Sequence, residues 1–145
     1  MNSTSNQQLV RRGWLQCSLW LLAVVPLLIG FWAFFAPHHF YEIFPLPGRH
    51  WISTLGPYNE HLVQDYGASN LGFGVLLTVA AVLLEQQLVQ IALVSWLAFA
   101  VPHFIFHLTQ THHFSQFDNV TQLGSLGFVA LLPISLLFYM TKQKE

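Results

Sequence analysis

His103 and His107 stand four residues apart, and so do His61 and Asp65. On a helix each pair shares one face. Two imidazoles one turn apart with a carboxylate nearby suit zinc, iron, manganese or copper. Neutral imidazole ligates the metal. A carboxylate either ligates as well or orients a ring by accepting its second N–H. The metal reading takes Asp65, His103 and His107 as three ligands of a divalent transition metal, with His61 or Glu60 as a fourth ligand or a base. Asn119 and Asp118 stand beside them as supporting groups. Without a metal, the same His–carboxylate pairs suit proton transfer, because histidine titrates near neutral pH. The pattern names no reaction and no catalytic residue.

A mechanical reading stands against this one. Glu60 and Asp65 could pair with His61 and His107 simply to hold helices together. Interhelical hydrogen bonds in membranes average ~0.6 kcal/mol. His38, His39, His112 and His113 read as hydrated interfacial residues, and Asp118 as a helix cap behind Ser115. A bis-His haem through His61 and His107 is disfavoured, because hairpin counting puts His61 level with residue 111.

The elements that position these residues follow from the charge distribution. Of 145 residues, 54% are hydrophobic and 8% charged, against about 25% charged in a soluble domain. A net charge of −1 excludes a basic nucleic-acid binder. One cysteine makes neither an internal disulfide nor a zinc pattern. Charged side chains are absent from Trp14 to Ala36, Tyr66 to Leu84, Leu88 to Leu108 and Asn119 to Met140. Each run reaches the roughly 20 residues that a helix needs to cross ~30 Å of hydrocarbon. Lipid offers the backbone no hydrogen bonds, so each run must be helical. The expected fold is an all-α four-helix transmembrane bundle in one domain, with helices about 14–36, 57–84, 88–110 and 116–140. The first run is too long for a signal-peptide core, no A-x-A site follows it, and it reads as a retained helix.

Orientation follows from the basic residues. Arg11, Arg12, Lys142 and Lys144 lie in the tails, and only Arg49 lies in the loops opposite. Both termini are therefore expected in the cytoplasm. All eight His then fall at the extracytoplasmic end. The 37–56 loop is rich in Pro and Gly yet carries Phe40, Tyr41, Phe44 and Trp51, which suggests a lid on that end. Gly56-Pro57 reads as a helix start.

Hairpin counting sets the depth. Asp65 and His107 are equidistant from residue 86, as are Ser69 and His103. The first pair should lie about 30 Å from the inner turn. Asn119 comes level with His107 across the last hairpin. Ala68 and Gly72 continue the His61–Asp65 stripe and would let a neighbouring helix approach closely, and Asn70, Gly67, Gly74, Gly124 and Gly127 add more small or polar surface for packing. Pro102 should bend the helix beside the His pair. Toward Glu85 little is polar beyond Asn70, Ser95 and Gln122, which argues against a carrier.

The segments Tyr58-Asn59-Glu60-His61-Leu62-Val63-Gln64-Asp65-Tyr66-Gly67-Ala68, Val101-Pro102-His103-Phe104-Ile105-Phe106-His107 and Asp118-Asn119-Val120 carry a resemblance. Together they resemble small bacterial four-helix integral membrane proteins of uncharacterised activity. The layout is similar to DoxX-like and related domain-of-unknown-function families. That resemblance implies an inner-membrane protein and brings no reaction or cofactor.

Two functions are expected from these readings. One is a small multi-pass inner-membrane protein whose extracytoplasmic His/carboxylate pocket binds a metal ion or a small-molecule ligand, for redox or hydrolytic chemistry. The other is a non-catalytic accessory or structural subunit, whose polar layer only fixes helix packing. The lipid bilayer is the partner common to both, and a second copy or a membrane partner subunit is compatible with either.

Overall fold

The structure is a computed structural model that describes residues 2–141, with side chains from Arg12 to Thr141. Lys142, Lys144 and the side chain of Arg11, which carry part of the expected orientation, lie outside that description. The described residues form helices and turns, with no strand among them: α1 Asn2–Phe35, α2 Pro37–Ile43, α3 Glu60–Leu83, α4 Gln86–Thr109 and α5 Gln116–Thr141, with a 3-10 turn at Thr111–His113. Four of them are long and apolar enough to cross a membrane. At 1.5 Å per residue, the 24 residues of α3 or α4 span about 36 Å.

Two boundaries differ from expectation. α1 begins at Asn2 rather than near Trp14. Counting apolar residues detects only the stretch inside hydrocarbon, and a polar helical extension is invisible to it. α3 begins at Glu60 rather than at Pro57. The reason is Asn59, whose side chain accepts from the Leu62 N–H at 3.1 Å and caps the helix. Pro57 and Tyr58 stay outside the helix, and the Tyr58 ring packs 5.2 Å from that of Tyr41.

The core lies among α1, α3, α4 and α5, built from Leu19, Leu22, Leu77, Leu93 and Trp96. α1 packs most extensively on α3, and α4 on α5. Glycine makes the first contact possible. A Cβ on Gly67 would stand 2.6 Å from the Phe34 backbone nitrogen, and one on Gly30 would stand 2.7 Å from that of Leu71. The expected close approach at Ala68 and Gly72 is therefore corrected. Ala68 is exposed and Gly72 has open space around it, while Gly67 and Gly74 face α1. Gln16 donates to the Ala81 carbonyl at 3.0 Å and Trp96 to that of Val129 at 2.8 Å, tying α1 to α3 and α4 to α5. Pro26, Pro102 and Pro133 lie inside helices that continue through them. Phe31, Val75, Ile91, Leu131 and Phe138 project outward, an apolar surface suited to lipid contact.

The connection from α1 to α3 folds onto the bundle. Pro37 opens α2, a first-turn position where its missing N–H costs nothing. Phe40 is fully buried among Trp32, Phe44 and Tyr66. The Tyr41 hydroxyl donates to the Gly56 carbonyl at 2.6 Å, closing the loop on itself. This lid covers the end of the bundle that also holds the α4–α5 connection.

Candidate functional site

Beneath the lid lies a cavity of about 380 Å³. The lid contributes Phe40, Phe44 and Trp51, and α3 contributes Val63 and Tyr66. α4 supplies His103, Phe106 and His107, and α5 supplies Gln122 and Ser125. The size and the mostly apolar wall with a few polar groups match a small-molecule site.

The His pair shares one face of α4, as the spacing predicts. The two rings meet edge to face with centroids 4.7 Å apart. His103 also stacks on Phe99 at 5.3 Å and lies 6.2 Å from Tyr66. His107 is only 6% exposed and Gln122 only 2%. His107 Nδ1 and Gln122 Oε1, like Asn119 Oδ1, are buried without a well-formed hydrogen bond, and the His107 and Gln122 side chains lie within reach of each other. Burying such an atom unpaired costs about 1–3 kcal/mol, and native structures contain few of them. Here two such residues line one cavity.

Asp65 does not join them. Its carboxylate pairs with His61 Nε2 at 3.4 Å, and their side chains are 62% and 87% exposed. Glu60 is exposed in the first turn of α3. Among the described residues, no three His, Cys, Asp or Glu side chains gather to hold a metal ion. The expected centre of Asp65, His103 and His107, with His61 or Glu60, is thus not assembled. Adjacent residues on a helix differ by about 100° in direction. The residue that faces His103 from α3 is Tyr66, one step further round than Asp65.

The two supporting residues do other work. The Asn119 amide donates to the carbonyls of Thr111 at 2.8 Å and Phe114 at 3.3 Å, fixing the 3-10 turn. Ser115 caps α5 as expected, accepting from the Asp118 N–H at 3.1 Å. Asp118 goes further and latches the lid. It accepts from Trp51 Nε1 at 3.0 Å and from Arg49 at 3.2 Å, and the Ser115 hydroxyl donates to its other oxygen. The Arg49 guanidinium lies 4.5 Å over the Phe117 ring, a cation–π contact. Trp51 is therefore held in the cavity wall by a residue of α5.

The other histidines are used locally. His39 Nδ1 accepts from Trp32 Nε1 at 2.9 Å. His50 takes a left-handed backbone with φ 57° and donates through Nδ1 to the Glu42 carbonyl. His112 and His113 are exposed beside each other in the 3-10 turn. The residue that sequence reasoning missed is Gln122. Its signal was a lone amide inside an apolar run, where polar groups are costly and tend to be functional.

No known protein family, curated protein or solved structure matches this chain at a significant level.

Proposed function

We propose that this is a multi-pass inner-membrane protein that holds a small, largely apolar ligand under its lid. Both termini are cytoplasmic in this reading, with the lid and cavity on the extracytoplasmic side. The orientation rests on Arg11, Arg12, Lys142 and Lys144 in the tails against Arg49 alone in the lid. The binding function rests on one observation: His107 and Gln122 stand within reach of each other in the wall of an apolar cavity, yet His107 Nδ1 and Gln122 Oε1 are buried without a well-formed hydrogen bond. A ligand head group that bonds both atoms would remove their desolvation penalty, and its apolar body would fill the aromatic wall.

The test compares solvent extracts of purified wild type and of a His107→Leu/Gln122→Leu variant by mass spectrometry. The expected result is one compound near one per chain in wild type and depleted in the variant. Identical extracts contradict the proposal and leave the polar layer as a packing device.

A further inference from the structure

The cavity wall also constrains the class of ligand. It contains no Asp, Glu, Lys or Arg. A charged head would be buried there without a counter-charge, which is strongly unfavourable. Gln122 Oε1 can only accept a hydrogen bond, so the head must offer a donor. His107 Nδ1 donates or accepts according to tautomer. A hydroxyl donates one bond and accepts another, and so satisfies both atoms at once. A ketone or ester accepts only and leaves the Gln122 oxygen orphaned.

Size and access point the same way. At about 380 Å³ the cavity lies toward the small end of small-molecule sites. Two lining residues, Leu62 at 66% and Phe106 at 48% exposure, also reach the outer surface of the bundle. Both lie in helices long enough to span a membrane, and in the orientation proposed above that rim would face lipid. The lid side is strapped by Trp51 and Arg49 on Asp118.

We propose that the ligand is an uncharged single-chain alcohol drawn from the bilayer, with its hydroxyl between His107 and Gln122 and its chain leaving past Leu62 and Phe106. This rests on the binding function proposed above and specifies what is bound. The discrimination comes from the Gln122 oxygen. An accepting-only head forfeits that bond, and the unpaired acceptor remains buried.

The test uses the full chain in phosphatidylcholine nanodiscs. The chain has five tryptophans, so the part of the quenching by 2-bromo-1-decanol that is lost in Trp51→Phe reports occupancy beside Trp51, with the bromine next to the hydroxyl. 1-Decanol, 2-undecanone, decanoate and decylamine then compete. A saturable quench is expected, displaced by 1-decanol at about tenfold lower concentration than by 2-undecanone, with the two ionised compounds weakest. In Gln122→Met the alcohol–ketone ratio should fall to within about twofold. That ratio is internal to each variant and does not depend on its overall stability. Equal competition by alcohol and ketone in wild type, or preference for decanoate or decylamine, overturns the alcohol assignment and leaves an occupied cavity standing. Quenching that rises linearly with no saturation overturns both, because the bromide is then merely dissolved in the bilayer.

Discussion

The indole N–H of Trp51 donates to Asp118 Oδ1 at 3.0 Å, joining two residues 67 positions apart. This bond ties the lid to the first turn of α5 and sets one wall of the cavity. Asp118 gathers Arg49 and Ser115 at the same place. Asp118→Ala should therefore release the lid and leave the helices intact. Hydrogen exchange is expected to rise over residues 44–55 and stay unchanged in α3 and α4. Unchanged exchange in the lid would show that its apolar contacts alone hold it down.

The orphaned pair yields a prediction about stability. Replacing both partners of an unsatisfied polar pair by apolar groups is neutral or stabilising, because desolvation of about 1–3 kcal/mol per group no longer has to be met. His107→Phe/Gln122→Met should thus unfold at the same or a higher temperature than wild type once bound lipid-like molecules are washed away. A clear loss of stability would favour the reading in which the polar layer fixes helix packing.

Close packing of α1 on α3 is the second structural claim. A side chain at Gly67 meets the Phe34 backbone, which cannot move aside as a flexible side chain would. Gly67→Val should cost on the order of 1–3 kcal/mol by overpacking. Gly72→Val, with open space around it, should cost far less. Folded yield and unfolding temperature in mild detergent compare the two. Equal effects would contradict the close approach.

Asp65 lies outside the cavity wall, so its substitution should be silent. Asp65→Asn keeps the side-chain shape and loses only an exposed pairing with His61. Exposed pairs contribute roughly 0–1 kcal/mol. Ligand content measured by extraction should match wild type. A loss of ligand, or of a bound metal, in this variant would return Asp65 to the site.

What the sequence made legible was depth; what it hid was direction. Counting from the turn at residue 86 correctly put the start of α3 beside the end of α4, and Tyr66 does lie near His103. The i, i+4 spacing correctly set His103 and His107 on one face. Rotation about the α3 axis is what the spacing leaves open: Tyr66 rather than Asp65 faces His103, and of the small residues on α3 it is Gly67 and Gly74, not Gly72, that face α1. In water an apolar stripe marks the buried face of a helix. In lipid the outward face is apolar too, so α3 shows Val75, Val79 and Val82 on the outside and Leu77 within. No stripe then fixes the rotation. The tie between Trp51 and Asp118 was hidden for another reason, since it depends on how a Pro- and Gly-rich loop folds back.

The central claim is that a molecule sits between His107 and Gln122. A structure of the chain determined by electron microscopy in nanodiscs made from its own membranes tests it most directly. Elongated density is predicted in the cavity, ending about 2.7–3.2 Å from both His107 Nδ1 and Gln122 Oε1. A closed cavity, with the imidazole bonded straight to the amide and no density beside them, would contradict it.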